Sequence, residues 1–365
     1  MILKIVLLFF SFLLSLSALD HTQKGLFVRV VDTGQGLSCI IKTTDEDGNS
    51  VYAFYDAGEN GTEVMKNAKK IIPEQSKIKY FFISHTDGDH MSATEKICKT
   101  YKIGNFIRTG FKRTDPNLTE WTKNIEAIER EIQFDGAKDI NISKMNETII
   151  GKELKFGKAK FTILSGYSTP PANWNIKPSD HSNMRNSISI VAKLEYEGQS
   201  ILFCGDVLGS DENQNVDDAI AAELFMIKNK GNLSLKSSVI IPAHHGARDG
   251  SSYNFIKEVE PDYVIFSAGS GHRHPHDITV KRYIRWKKTQ SVDSKEMEIL
   301  RTDYGDQEEA PNGNAKEWRF GRNDNQPNDK SGDDNIDIFI SSEGKIQVEY
   351  LNPENKKFFV KGQQL

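Results

Sequence analysis

The sequence KYFFISHTDGDH, residues 79–90, carries four potential metal ligands immediately after an apolar run. The ligands are His85, Asp87, Asp89 and His90. The apolar run predicts a buried strand, so the polar residues after it are expected on a loop at one edge of a sheet. Histidine and aspartate side chains both bind divalent cations. The segment therefore predicts a metal site at the end of a strand.

Two later apolar runs end in the same kinds of side chain. FCGD, residues 203–206, places Asp206 after a buried strand, and IIPAHHG, residues 240–246, places His244 and His245 after another. Either turn alone is usually structural, but the three strand ends together supply the ligands of a two-cation site in which Asp206 bridges the cations. The sequence does not choose clearly between His244 and His245.

Strand-like and helix-like runs alternate along the chain, as at 51–55, 62–71 and 80–84, which predicts an α/β fold. The chain has 365 residues, of which 37% are hydrophobic and 27% charged, so it can bury a large core. Its formal net charge of −4 argues against a protein that holds nucleic acid by bulk positive charge. The three cysteines contain no CxxC pair of the kind that binds zinc.

Residues 1–18 predict a secretory signal peptide, with Lys4 ahead of an apolar run that leads to Ser15, Ser17 and Ala18. The run is shorter than the roughly 20 residues that span a bilayer. We therefore expect cleavage near Ser17 or Ala18 and no stable membrane insertion afterwards. The expected location is secreted, either extracellular or periplasmic.

The ordered set HxDxDH, GD and HHG resembles the metallo-β-lactamase fold superfamily, and more narrowly the hydrolase domain of ComEC-type DNA-uptake competence proteins. Further matches to that branch are Asp32-Thr33-Gly34-Gln35-Gly36, Tyr55-Asp56-Ala57-Gly58, Asn186-Ser187 and His274-Pro275. The resemblance implies an αββα sandwich, in which two mixed β-sheets pack face to face with flanking helices.

This fold is expected over residues 26–302. Residues 303–335 are rich in Asp, Asn, Gly and Pro and predict a flexible insertion. Residues 336–365 predict a C-terminal hairpin that closes the same domain.

The resemblance also implies two divalent cations, Zn²⁺ or Mn²⁺, and assigns roles by position. One cation would be held by Asp89, His90, Asp206 and one histidine of HHG, and the other by His85, Asp87 and Asp206. Matching the family's proline favours His244 as the ligand, whereas matching the following glycine favours His245. Catalytic roles are implied for Asp89, His245 and His274, and ligand-orienting roles for Asp32, Asp56 and Asn186.

Departures from the family pattern limit which cations and which substrates are expected. β-Lactamases carry histidine where this chain has Asp87, and another near Asn183 and Asn186. A carboxylate is a harder ligand than an imidazole in the hard–soft acid–base sense, so Mn²⁺ competes with Zn²⁺ at that position. Two divalent cations bound by three carboxylates keep about one positive charge, which suits a phosphoryl group. The implied activity is a secreted phosphodiesterase or nuclease that uses a metal-bound hydroxide on DNA or RNA. No protein partner is inferred.

Three other functions stay open at this point. A phosphorylcholine esterase or other small phosphoester hydrolase would show aromatic residues around the choline. β-Lactam hydrolysis needs a three-histidine zinc position, which is incomplete here. A metal-poor binding protein on the same fold is the non-enzyme alternative, and the intact Asp89, His90 and Asp206 argue against it.

Overall fold

The computed structural model describes residues 19–114, 118–211, 215–269, 272, 274–303, 334–352 and 358–362. The predicted leader at 1–18 and nearly all of the predicted insertion at 303–335 lie outside the described residues.

Seventeen strands are described. In chain order they are β1 (Gly25–Val30), β2 (Cys39–Thr44), β3 (Ser50–Tyr55), β4 (Lys77–Ile83), β5 (Lys102–Ile103), β6 (Asn105–Arg108), β7 (Lys138–Asn141), β8 (Glu153–Phe156), β9 (Ala159–Ser165), β10 (Val191–Tyr196), β11 (Gln199–Phe203), β12 (Val239–Ile241), β13 (Tyr263–Phe266), β14 (Met297–Arg301), β15 (Ile336–Ser341), β16 (Ile346–Tyr350) and β17 (Phe358–Val360).

Eight α-helices are described among the same residues. They are α1 (Gly61–Ile71), α2 (Gly88–Met91), α3 (Thr94–Thr100), α4 (Thr119–Phe134), α5 (His181–Ser187), α6 (Ala221–Lys228), α7 (Tyr253–Val259) and α8 (Asp277–Lys288). Within the parts of the chain that the structure describes, every helix is too short or too polar to cross a membrane.

The described strands form two mixed sheets. The nine-stranded sheet has the order β16-β15-β1-β2-β3-β4-β6-β7, with β5 paired to β4, and the eight-stranded sheet has the order β17-β14-β13-β12-β11-β10-β9-β8. Buried side chains of both sheets form one shared core, which includes Val28, Phe82, Phe161 and Phe203. The sheets therefore pack face to face.

The outer face of each sheet is covered by helices. Side chains of α1, α3 and α4 pack on the nine-stranded sheet, whereas those of α6, α7 and α8 pack on the eight-stranded sheet. An amphipathic helix buries its apolar face in this way because the sheet offers it an apolar surface. The predicted αββα sandwich is confirmed.

The C-terminal hairpin is formed by β15 and β16, and β15 pairs antiparallel with β1. Inside the sheet, Arg29 of β1 forms a buried ion pair with Asp337 of β15, at 2.7 Å between Nε and Oδ1. The first strand thus lies between the second strand and a strand from the far end of the chain.

Two helices near the site were not predicted from the sequence. The residues after β4 were expected on a loop, but Asp89 and His90 lie in the single-turn helix α2, which the hydrogen bond from the Ser92 N–H to the Gly88 carbonyl closes at 2.9 Å. One turn is too short to leave a periodic signal.

Helix α5 covers a polar stretch in which no helix was predicted, and it begins where the Asp180 side chain accepts a hydrogen bond from the backbone N–H of Asn183. Such N-caps stabilise the first turn. The helix is short and lacks an apolar stripe, so hydrophobic periodicity could not reveal it.

Candidate metal centre

The predicted ligands follow strands that end at the same edge of the molecule. Strand β3 runs parallel to β4, and β11 runs parallel to β12, which in turn runs parallel to β13. Parallel neighbours place their carboxyl ends together, and polar residues following such ends commonly form sites. Asp56, His85, Asp206 and His244 all come within three residues after these strand ends.

The two sheets are joined directly at this edge. The Tyr55 ring stacks on Phe203, with centroids 4.8 Å apart, and the Tyr55 hydroxyl donates to the Ile190 carbonyl at 2.5 Å. The backbone N–H of Ile190 donates to the Ser84 carbonyl at 2.9 Å. These contacts fix the loop after β4 against the segment that leads into β10.

The loop around Asp89 is also held by a close backbone approach. Gly36 has a φ of +107°, and a Cβ at this position would lie 2.1 Å from the carbonyl oxygen of Asp89. The backbone N–H of Leu37 donates to that same oxygen at 3.1 Å. Gly36 is therefore required for the contact.

Asp56 orients the first histidines of the cluster. Its Oδ2 accepts from Nδ1 of His90 at 2.8 Å and from the Ser84 hydroxyl at 2.7 Å, while its Oδ1 accepts from the Ser84 backbone N–H at 2.7 Å. Since the Ser84 hydroxyl donates to Asp56, it accepts from Nδ1 of His85 at 3.0 Å. Both imidazoles are thus held by Nδ1, and each presents Nε2 to the site.

His90 and His245 face each other through these remaining nitrogens. Nδ1 of His245 donates to the Ser267 carbonyl at 2.7 Å, and the two Nε2 atoms lie 3.0 Å apart. In the neutral rings both nitrogens carry lone pairs, because both Nδ1 atoms carry the proton. Two lone pairs at this distance require a positive charge, which is a proton in the metal-free protein or a metal cation.

The nearby carboxylates strengthen this requirement. Burial opposes a charge on His90, but Asp206, Asp89 and Asp56 outweigh it and raise its pKa well above the ordinary value. Burial also opposes ionisation of Asp206, yet His90 and the neighbouring imidazoles hold its pKa well below the usual range. A concentrated negative field surrounded by imidazoles suits a divalent cation.

His85 supports the same conclusion. It is fully buried, and its Nε2 has no hydrogen-bond partner among the described residues. This nitrogen lies 3.7 Å from Oδ2 of Asp206 and 3.9 Å from Oδ2 of Asp87. Burial lowers the pKa of His85, so the ring is neutral and its lone pair is available to a cation.

Two overlapping ligand groups result. His85, His90 and Asp206 offer atoms within 4.8 Å of one another, as do Asp89, His90 and His245. The lone-pair geometry, the orphaned nitrogen and the donor chemistry all fit divalent cations. The structure thus brings these five predicted ligands together.

His244 lies at the margin of this cluster. Its Nδ1 pairs with Oδ1 of Asp249 at 2.7 Å, and its Nε2 lies 4.0 Å from Oδ2 of Asp206. Burial opposes a charge on His244, but Asp249 outweighs it and raises the pKa to about 9. Its side chain is 23% exposed, against 2% for His245. Both residues have left-handed backbone, with φ of 51° and 55°, which turns the rings to different sides.

Asp87 is placed at the other side of the cluster. Its Oδ2 faces His85, whereas its Oδ1 contacts Nε of Arg185, and Nη1 of Arg113 lies 4.0 Å from the same oxygen. Asp87 thus lies between the cluster of proposed cation ligands and two arginines.

The remaining predicted site residues lie around the cleft or behind it. His274 is buried beside His245, with ring centroids 6.0 Å apart, and burial lowers its pKa to about 2. Nδ2 of Asn186 lies 3.5 Å from Nε2 of His244. Asp32 accepts from the backbone N–H groups of Gly34 and Asp334, so it holds the turn that leads to Gly36.

The cleft above the cluster has a volume of about 560 Å³. Arg248 and Ser182 line it together with Asp89, Asn186 and the histidines. Asp249, Arg185 and Arg113 were not predicted as site residues from the sequence. Asp249 follows His244 by five positions and Arg185 precedes Asn186, but a charged residue near a motif is too common to identify a contact.

Comparison with known proteins decides the family. A family model described as the metallo-beta-lactamase superfamily matches residues 57–245, which include the HxDxDH loop, Asp206 and the two adjacent histidines. The chain belongs to the metallo-beta-lactamase superfamily. Members of this family are mostly metal-dependent hydrolases.

Curated relatives confirm the resemblance to competence proteins. The chain is 23% identical over 293 residues to ComE operon protein 3 of Bacillus subtilis (strain 168), covering 76% of this chain and 32% of that protein. It is also 23% identical over 284 residues to competence protein ComA of Neisseria gonorrhoeae, covering 76% and 31%. The chain spans about a third of the length of these relatives.

Solved structures that match the chain have lower sequence identity. The metallo-beta-lactamase fold protein YhfI from Bacillus subtilis has 11% identity and a TM-score of 0.37, covering 66% of this chain and 85% of that one. CmlA, a diiron beta-hydroxylase from Streptomyces venezuelae, has 13% identity and a TM-score of 0.41, covering 72% and 51%. Membership of the family follows from the match over residues 57–245.

Proposed function

We propose that this chain is a secreted, metal-dependent phosphodiesterase whose substrate is a nucleic acid. The observation that carries the proposal is the facing pair of Nε2 atoms in His90 and His245, 3.0 Å apart beside Asp206 and Asp89. This arrangement supports cation binding at the base of an open polar cleft. Secretion rests on the predicted leader of residues 1–18.

The proposed ligand sets are those that the family resemblance implies, and His245 is chosen over His244 because its ligand atom lies within 4.8 Å of those of Asp89 and His90. Asp89, His90, His245 and Asp206 would hold one divalent cation, and His85, Asp87 and Asp206 the other. Zn²⁺ and Mn²⁺ both suit this mixture of imidazole and carboxylate ligands. When bound, such cations polarise phosphoryl oxygens and lower the pKa of water.

The protein's own groups account for the remaining steps. We assign proton delivery to the leaving oxygen to His244, because its ring faces the cleft and Asp249 holds its Nδ1 at 2.7 Å. This carboxylate fixes the ring and stabilises its positive charge. His274 forms the wall beside His245, and Asn186 lies beside the His244 ring.

The substrate class follows from charge and from the relatives. The described lining of the cleft has five carboxylates and one arginine, Arg248, so attraction of an anion depends on the proposed cations. The resemblance to DNA-uptake competence proteins suggests DNA or RNA as that anion. Among the described residues that line the cleft there is no Phe, Tyr or Trp. The aromatic cage expected of a phosphorylcholine esterase therefore has no support.

The test is hydrolysis of bis(p-nitrophenyl) phosphate, single- and double-stranded DNA, and RNA by the purified chain with Mn²⁺, Zn²⁺ or EDTA. We expect cleavage that requires the cation and is lost in Asp89→Ala but kept in Asp47→Ala, an exposed aspartate in a turn. A folded protein that holds cations but cleaves none of these substrates would refute the phosphodiesterase assignment. Turnover of p-nitrophenyl phosphate alone would indicate a phosphomonoesterase.

A further inference from the structure

Asp87 is a proposed cation ligand that already has a positively charged partner. Nε of Arg185 contacts its Oδ1, and the two side chains are only 12% and 18% exposed. Arg113 supports the same loop, because its Nη1 donates to the Thr86 carbonyl at 3.3 Å. A guanidinium pairs strongly with a carboxylate when little water separates them.

The other two carboxylates have different surroundings. Among the described residues, the charged side chains within ion-pair distance of Asp89 and Asp206 are all histidines. Neutral imidazoles are cation ligands, whereas a guanidinium cannot give up its charge. A cation can therefore bind between His90 and His245 without displacing another positive charge. At the position of His85 and Asp87, a cation and the Arg185 guanidinium compete for the same carboxylate.

The local charge points the same way. Asp56, Asp87, Asp89 and Asp206 carry four negative charges, and Arg185 and Arg113 beside Asp87 offset two of them. One divalent cation balances the two that remain. A second cation would then bind to a site with no remaining net negative charge, and the nearby guanidinium would repel it.

We propose that the two cation positions are unequal and that Arg185 makes them so by competing with the second cation for Asp87. The inference rests on the proposed cation site. The position formed by Asp89, His90 and His245 fills first. The position formed by His85 and Asp87 fills second, because the guanidinium on Oδ1 of Asp87 offsets the charge of the carboxylate whose Oδ2 faces His85.

The experiment is a titration of the metal-free full chain with Mn²⁺, and separately with Zn²⁺, by calorimetry, with metal content measured after dialysis. Arg185→Met removes the charge and keeps an unbranched side chain. Arg248→Met is the matched control, because Arg248 lines the same cleft without contacting Asp87. Thermal unfolding of each metal-free variant checks that it is folded, and Arg185→Gln replaces Arg185→Met if the latter does not fold.

In the wild-type chain we expect the second equivalent to bind at least about tenfold more weakly than the first. Arg185→Met should strengthen the second equivalent by about tenfold or more and leave the first unchanged. Arg248→Met should keep the wild-type ratio. Equal affinities in the wild type, or a second equivalent that is weakened or unchanged by Arg185→Met, would overturn this inference alone. A folded wild-type chain that binds no cation would overturn the proposed function as well.

Discussion

Asp56 accepts the Nδ1 proton of His90 at 2.8 Å, and the same oxygen accepts the hydroxyl proton of Ser84 at 2.7 Å. Through Ser84 this carboxylate also fixes His85. One buried side chain therefore orients a histidine of each proposed cation position. The backbone of Asp56 has a φ of 59°, a conformation that costs energy in a non-glycine residue and often occurs at functional sites.

Asp56→Asn should weaken cation binding by about 10- to 100-fold, because the amide no longer fixes the Nδ1 proton of His90. Equilibrium dialysis with Mn²⁺ measures the effect. Asp249→Asn is the matched control, since Asp249 holds His244 in the same way outside the cluster, and cation affinity should stay unchanged there. Equal losses in both variants would contradict the distinct roles of these carboxylates.

The adjacent histidines should respond differently to truncation. His245→Ala removes an Nε2 that lies 3.4 Å from Oδ2 of Asp89, and we expect it to lose the first cation. His244→Ala should retain its cations but lose about 100-fold or more in turnover, because it removes the proposed proton donor. Metal analysis of both dialysed proteins, together with their rates, separates the roles. A metal-free His244→Ala protein would reverse the assignment.

Glu223 should make stability depend on pH. This buried residue of α6 accepts hydrogen bonds from Ser251 and Ser252, and burial raises its pKa from 4.5 to about 7. An acid with a raised folded-state pKa binds its proton more tightly when folded. Its contribution is therefore present below pH 4.5 and is lost as the pH rises through about 7. We expect a decrease of at most about 3 kcal/mol in the free energy of unfolding over this window.

Urea unfolding across the window measures this decrease. Glu223→Gln, which cannot ionise, should lack it. Glu258→Gln changes a surface carboxylate that pairs with Lys230, and it should follow the wild-type profile. An unchanged profile in Glu223→Gln would assign the dependence to other groups.

The contact between the sheets can be tested by stability. Phe203 is fully buried against Tyr55 in the shared core, so Phe203→Ala should reduce the free energy of unfolding by about 3–5 kcal/mol. Phe134 is 72% exposed at the end of α4, and Phe134→Ala should have almost no effect. Similar unfolding curves for the two variants would show that this part of the core tolerates a cavity.

The elements of the fold that could be predicted are those with a local pattern of apolar residues in the sequence. Apolar runs such as Tyr80–Ile83 are buried on both faces, and the residues after them are polar because they reach the sheet edge. Strand ends therefore predicted which residues come together, including His85 with Asp206. Helix α5 was missed because its start depends on the single cap at Asp180.

The finer arrangement depends on tertiary geometry that local patterns do not contain. The left-handed backbone at His244 and His245 sends one ring towards Asp89 and the other towards Asp249. The contact of Arg185 with Asp87 joins helix α5 to the turn after β4, and the two residues are 98 positions apart. Neither feature leaves a periodic signal in the sequence.

The pairing of β1 with β15 has a consequence for biosynthesis. Arg29 and Asp337 are separated by 308 residues, so β1 has no partner on one side until almost the whole chain has left the ribosome. Contacts this distant in sequence form slowly, and an unpaired strand edge invites association with other chains. In the nascent chain, the edge of β1 that pairs with β15 therefore stays open until β15 has been made.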